Sequence, residues 1–333
     1  MSLWSFFAIV LLLLAEVVLR ISGSASPRLI CPPLSSQPGK FFSKHETLGF
    51  IYNPGEFRVA LGKHYLFKTT HLPNRLRITH PLNTYPAKTR KKIWIVGCSF
   101  TYGWILNDEQ TYPWLLQKRL KNYEVVNFGV ISYSTLQSLL QFREALKIDN
   151  KPDLVILAYA SFHDMRNTGT RHWMKIMTVA GNYPYFKIPV VKLTKNNNLE
   201  ITYTSFEYQE IPLARYSALA NTLDELYNSL LADPYRDHQI SRVLIEEFSN
   251  ICEAKGIKFV VAGIDCDPAT AEMLEALKKK GTMTVDISVD LHIIENNIIP
   301  SWHPSAIANE QYEKKLENYL CRMKLINDPI CAR

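Results

Sequence analysis

Short, largely apolar runs recur from residue 93 onward, at 93–96, 124–128, 154–160, 257–262 and, more briefly, 282–287. Runs of this length, rich in β-branched residues, predict strands buried on both faces. Between them lie stretches with helical spacing. Helices are predicted over 112–121, 136–147, 217–231, 238–254 and 305–324; Leu136, Leu139, Leu140 and Leu146 share one face of the second, and Tyr312, Leu316, Leu320 and Met323 one face of the last. Gly256 stops the fourth of these helices. Strand alternating with helix implies parallel strands joined by crossover helices, hence an α/β fold with a three-layer α/β/α sheet.

The rhythm is absent at the front and broken once in the middle. Residues 3–19 are apolar except for Ser5 and Glu16, and Arg20 closes the run. The run approaches the ~20 residues a spanning helix needs, so residues 1–22 are expected to be a membrane anchor or a signal segment. Small residues at 22–26 would suit a peptidase, whereas Glu16 followed by Val17, Val18, Leu19 and Arg20 reads as an uncleaved helix ending at the interface, which is the preferred expectation. Arg20 and Arg28 on the far side would by themselves favour a cytosolic domain. Residues 23–90 read as an extension with a few short strands that packs on the main domain, 91–326 as that domain, and 327–333 as a tail. Within the domain, 168–213 reads as a hairpin-like β insertion, with strands at 183–193 and 199–203 joined by Lys195-Asn196-Asn197-Asn198. Its aromatics Trp173, Tyr183, Tyr185, Phe186 and Tyr203 would line a sugar-binding wall or, more commonly, form a small core under a lid. The chain has no internal repeat.

Composition excludes several classes. At 333 residues and 47% hydrophobic the chain buries a full core. Its charge of +7, from 38 basic and 31 acidic residues, is mild, and the basic run at 88–92 has no interleaved aromatics on which single-stranded nucleic acid would stack. No nucleic-acid partner is expected. The six cysteines, Cys31, Cys98, Cys252, Cys266, Cys321 and Cys331, show no Cys-x-x-Cys pair, so no metal is expected. In an oxidising compartment Cys321 and Cys331 would close a short loop, while Cys98 and Cys252 are expected to be buried free thiols.

The chemistry concentrates at the ends of the predicted strands. Gly97-Cys98-Ser99-Phe100-Thr101-Tyr102-Gly103 follows the first strand directly, with a glycine at each end to let the chain turn. Ser99 is thereby placed at the carboxyl edge of the sheet, where open α/β sheets bind ligands. A serine nucleophile needs a base and oxyanion donors. His303, in Pro300-Ser301-Trp302-His303-Pro304-Ser305 just before the last helix, is the candidate base. Gly129 ends the second strand, and Ser161-Phe162-His163-Asp164 follow the third. Asp164 reads as a helix cap.

This four-block order resembles the SGNH, or GDSL-like, hydrolase family over roughly 92–325. The segment 97–104 with 107–113 looks like its first block, Asn127-Phe128-Gly129 with Tyr133-Ser134-Thr135 like the second, Pro152-Asp153-Leu154 through His163-Asp164 like the third, and His303-Pro304 like the last. The resemblance implies a flavodoxin-like parallel sheet and ester hydrolysis through an acyl-serine without cofactor or metal. It further implies Ser99 as nucleophile, His303 as base, and an oxyanion hole from the Ser99 and Gly129 N–H groups with His163. The expected substrate is an acylated carbohydrate or lipid of the cell envelope, O-acetyl foremost, met outside the cytoplasm. Three positions depart from the family pattern: Cys98 stands for the usual Asp, His163 for the usual Asn, and Pro300 and Ser301 where an Asp usually precedes the histidine. The alternatives for orienting His303 are a backbone carbonyl, Asp286 or Asp290. A competing expectation is a catalytically impaired glycan-binding or assembly protein. A dinucleotide-binding domain fits less well, since no Gly-x-Gly-x-x-Gly follows the first strand.

Overall fold

The structure is a computed structural model that describes residues 3–24, 26, 33–63, 65–84, 91–148, 151–180, 186–194, 196, 198–299 and 301–332. Cys31, Tyr183, Tyr185, Lys195, Asn197, Pro300 and part of the basic run lie outside the described residues.

In chain order, α1 (Leu3–Ile21) leads to five extension strands, β1 (Leu34–Gln37), β2 (Phe42–His45), β3 (Gly49–Tyr52), β4 (Gly55–Leu61) and β5 (Tyr65–His71). Then follow β6 (Lys91–Val96), α2 (Ser99–Tyr102), α3 (Tyr112–Arg119), β7 (Tyr123–Asn127), α4 (Thr135–Ile148), β8 (Leu154–Tyr159), α5 (Phe162–Thr168) and α6 (Arg171–Ala180). The hairpin β9 (Lys187–Leu193) and β10 (Leu199–Ser205) precedes α7 (Ala218–Leu231), α8 (Pro234–Ala254), β11 (Lys258–Gly263), α9 (Pro268–Lys279) and β12 (Met283–Asp286). The bridge pair β13 (Asn297–Ile298) and β14 (His303–Pro304) leads into α10 (Ala306–Arg322).

The central sheet runs β12-β11-β8-β6-β7, with every pair parallel. Numbering its strands by sequence gives the order 2-1-3-4-5 of flavodoxin-like sheets, whose topological switch lies between the first and third strands. Those are β6 and β8, so the chain emerges from β6 into Ser99 at the switch point. All six residues of β8 are buried, as a strand covered on both faces requires. Alternate side chains sort the two faces. Trp94, Val96, Val155, Leu157 and Val261 pack with α4, α8 and α9 through Leu136, Phe142, Leu244, Phe248 and Leu277. Ile93, Ile95, Ile156, Val260 and Ala262 pack with α3 and α10 through Tyr112, Leu116, Tyr312 and Leu316. This is the α/β three-layer fold that the sequence pattern predicts.

The extension shares the first of these cores: Phe41, Phe50, Tyr52, Phe57 and Phe67 belong to the same cluster as the sheet residues. Its fastening is Arg77, whose backbone bridges both His71 and Asn127 at the end of β7. The buried Arg77 guanidinium donates to Asp108 at 2.8 Å and to the carbonyls of Tyr102, Gly103 and Leu106 at 2.8, 2.7 and 2.6 Å. The extension therefore grips the segment that follows Ser99.

Three elements differ from expectation. The insertion holds the helix α6 as well as the β9–β10 hairpin, and α8 starts at Pro234, four residues early, because Asp233 caps it by accepting the Arg236 N–H. The helix α9 has the same Asp-Pro start: the Asp267 side chain accepts the Ala269 and Thr270 N–H groups. Trp173 is buried and Phe186 stacks on Phe50 with centroids 5.5 Å apart, so these insertion aromatics form core, while Tyr203 is exposed. Cys321 and Cys331 form a disulfide, and Cys98 and Cys252 are buried free thiols.

Candidate active site

Ser99 is the first residue of α2, preceded by Cys98 in an extended conformation. Gly103 ends this single turn at φ 83°, a left-handed conformation that side chains disfavour. The side chain of Ser99 meets His303 from the other end of the domain. His303 Nε2 lies 3.1 Å from Ser99 Oγ, and His303 Nδ1 lies 2.7 Å from the Ser301 carbonyl oxygen. A carbonyl oxygen only accepts, so Nδ1 carries the proton and Nε2 presents its lone pair to the hydroxyl. That is the tautomer a general base needs.

His303 is held from several sides. It pairs with Ile298 across the β13–β14 bridge, its ring packs edge-on against Phe100 with centroids 5.6 Å apart, and Ser305 caps the helix that follows by accepting the Ala308 N–H. Burial pushes its pKa down to about 4, with the positive charge of Arg166 acting in the same direction against the Ser301 hydrogen bond. The imidazole is thus neutral at physiological pH.

The orienting group is a backbone carbonyl. Asp286 Oδ1 instead accepts the Ser288 N–H at 2.8 Å, and Asp290 Oδ1 accepts the His292 N–H at 2.8 Å. Both carboxylates are exposed and brace the turn after β12, so neither is the group hydrogen-bonded to His303.

The remaining sequence candidates lie below the surface. The Gly129 N–H donates to Asn127 Oδ1 at 2.8 Å, and a Cβ on Gly129 would sit 2.3 Å from Tyr102 N and 2.7 Å from Thr101 C. The glycine is required for β7 to pass against α2, and its donor is engaged within the chain. His163 is fully buried, its ring against Tyr159 and Phe162, with Nδ1 3.5 Å from Thr135 Oγ1 and Nε2 without a hydrogen-bond partner among the described residues. Burial first, and Arg166 second, hold its pKa well below the usual value, so it is neutral. The Asp164 carboxylate caps no helix. It accepts from Tyr159 at 2.7 Å and from Ser241, pairs with His238 Nδ1 at 2.8 Å, and so ties α5 to α8.

A cleft of about 330 Å³ opens over Ser99 and His303. Phe100, Phe162, Leu291 and Trp302 form its apolar lining, and Arg166, Asp265, Cys266 and His292 its polar lining. Arg166 and Asp265 are not among the sequence candidates. Asp265 follows β11 as His163 follows β8, so the same strand-end rule finds it. Arg166 sits one turn into α5 with no motif around it. Its Nη1 donates to the Tyr133 carbonyl at 3.0 Å, and the guanidinium stacks on Phe162 and Trp173 at 4.5 and 4.8 Å.

No protein-family model matches the chain, and no curated protein does. Among solved structures, the chain is similar to a psychrotrophic esterase from Pseudoalteromonas, at 9% identity and TM-score 0.42, over 70% of this chain and 98% of that one. It is similar to a GDSL-like lipase from Bacteroides thetaiotaomicron at 14% identity and TM-score 0.40, over 72% of this chain and 92% of that one. It is likewise similar to an SGNH-hydrolase family esterase at 14% identity and TM-score 0.37, over 71% of this chain and 98% of that one.

Proposed function

We propose that the chain is a serine esterase that removes a short acyl group, O-acetyl foremost, from an envelope carbohydrate or lipid. The observation that carries this reading is the 3.1 Å contact between Ser99 Oγ and His303 Nε2, with the tautomer fixed from behind by Ser301. As the ester enters, Ser99 gives its proton to Nε2 and its oxygen attacks the acyl carbon. The developing oxyanion is stabilised by the Ser99 N–H and by the positive charge of Arg166 on the cleft wall. His303 then returns the proton to the departing alcohol. Water attacks the acyl-serine by the same proton route, releasing the carboxylic acid. The small cleft favours a short acyl group, and the exposed indole of Trp302 at its rim suits the face of a sugar.

Without a carboxylate behind it, the imidazolium gains no charge pairing. In a serine protease, loss of that carboxylate costs about 10⁴-fold in turnover, so slow turnover is expected of this dyad. We place the domain outside the cytosol, a reading supported by the Cys321–Cys331 disulfide, since such bonds persist in oxidising compartments.

The full-length protein treated with a fluorophosphonate at neutral pH is expected to take up one label at Ser99 and, untreated, to release acetate from O-acetylated envelope glycans. No label on folded protein overturns the esterase reading. Saturable glycan binding without acetate release would then assign the chain to the non-catalytic alternative.

The pH profile gives a further check. A base must be unprotonated to act, so kcat/KM rises with pH through the His303 pKa and is level above it. The acid limb is expected near pH 4 rather than near 6.5, the ordinary histidine value. Arg166→Gln removes one of the two lowering influences and is expected to move the limb upward. A limb at 6.5 in the unaltered protein would contradict the enclosed geometry of His303.

A further inference from the structure

The helix α7 is built inside out. Its protein-facing side is polar: Asp224 accepts from Lys175 Nζ at 2.7 Å and from the Tyr208 hydroxyl at 2.7 Å, Asn221 accepts from Lys175 at 2.6 Å, and Asn228 accepts from Arg171 Nε at 3.0 Å. Its outward side is apolar: Leu223, Leu226, Leu230 and Leu231 are 49%, 56%, 74% and 56% exposed. Surface helices of water-soluble domains show the opposite sorting. A contiguous apolar face of this kind marks an interaction surface.

What covers it follows from its neighbour. The helix α1 is 19 residues long with mean hydropathy 2.2 and no buried residue, long and apolar enough to cross a membrane. Its C-terminal end is fastened to the start of α7. The Glu16 carboxylate accepts the Ser217 hydroxyl at 2.7 Å and the Ala218 and Leu219 N–H groups at 2.9 and 2.8 Å, and Arg20 donates to the Tyr216 carbonyl at 2.7 Å. The one acidic residue of the apolar helix thus satisfies the unpaired donors at the N-terminus of α7. Glu16 precedes the last residue of α1, Ile21, by five positions, a rise of about 7.5 Å. Interfacial helices bury their apolar face about 5–10 Å into the boundary between headgroups and acyl chains. The depth at which α1 holds α7 is therefore the depth at which its leucines meet lipid.

We propose that α7 is an interfacial helix whose face of Leu223, Leu226, Leu230 and Leu231 lies in the same bilayer that α1 spans. This rests on α1 being a retained membrane helix, and the partner is the lipid surface itself. Docking of α1 against α7 through Glu16 also fixes how the catalytic domain sits on the membrane, by two contacts rather than one tether.

The test uses the full-length protein in nanodiscs of phosphatidylethanolamine and phosphatidylglycerol, with Cys31 and Cys266 replaced by serine. Single nitroxides are attached through Leu12→Cys, Leu66→Cys, Leu223→Cys, Leu226→Cys or Leu230→Cys, and accessibility to oxygen is compared with accessibility to a water-soluble nickel chelate. Leu66 is 75% exposed on β5 and serves as the aqueous reference. The expected result is an oxygen-to-nickel ratio several-fold higher at 223, 226 and 230 than at 66, in the direction of the value at 12. A lipid signature at 12 with an aqueous one at 223, 226 and 230 overturns the proposal and leaves the anchor intact. Immobilised labels at these three positions that neither reagent reaches overturn it in favour of a protein partner. An aqueous signature at 12 removes the anchor reading, and this one with it.

Discussion

Ser99→Ala is expected to cost at least about 10²-fold in ester hydrolysis: losing the serine of a full triad costs about 2 × 10⁶ in kcat, of which about 3 × 10⁴ is already forgone where no carboxylate stands behind the histidine. The hydroxyl is the only group of Ser99 engaged with His303, so alanine removes the attacking atom and leaves α2 otherwise untouched. His303→Ala is expected to be nearly as damaging, because an unassisted serine hydroxyl is a weak nucleophile. The two losses are not additive: the double variant is expected to match the worse single one, since each residue works only through the other. Steady-state hydrolysis of a chromogenic acetate ester measures all three, with thermal melting to confirm that they fold. Retention of more than a tenth of the activity in Ser99→Ala would remove Ser99 from the chemistry.

The largest expected effect on stability comes from Arg77→Leu. All three nitrogens of this guanidinium take part in the four bonds described above, to one carboxylate and three carbonyls in the interior. Truncation leaves Asp108 without its cation and takes a donor from three buried carbonyls, of which that of Gly103 keeps the Leu106 N–H. Breaking a buried ion pair by removing one partner costs about 3–5 kcal/mol, and that is the loss expected in urea-induced unfolding. Arg77→Lys keeps the charge but cannot span four acceptors, because the ammonium is a point charge and the guanidinium a planar fork. It is expected to fall between the two. A cost below about 1 kcal/mol, the value of an exposed pair, would mean that this cluster is hydrated.

Much of the sheet is legible in the sequence because a strand covered on both faces is written as an uninterrupted apolar run. Leu154–Tyr159 and Ile93 to Val96 are of that kind. The contact between Ser99 and His303 is foreshadowed for a related reason: both follow from chain ends at one edge of the sheet. The donors around them are not legible. Whether the Gly129 N–H faces a ligand or the Asn127 side chain depends on how closely β7 approaches α2, a distance set by packing. Arg166 escapes notice because its place in the cleft arises from stacking on Phe162 and Trp173, the second of which lies beyond the end of α5. The short helix α2 and the helix α9 escape for different reasons. The first is too short to show a period, and the second is marked only by its Asp-Pro start.

The backbone bridge between Arg77 and Asn127 has a bearing on self-association. A parallel sheet ends in two strands with unpaired backbone groups, each a template for another chain. At the β7 side that row is met by the extension through this bridge, and at the other side β12 has only four residues. One border is covered and the other is cut short, so edge-to-edge stacking of copies finds little backbone to pair with. The bridge is made by the Arg77 backbone, which Arg77→Leu keeps, so this border stays covered for as long as the extension stays docked.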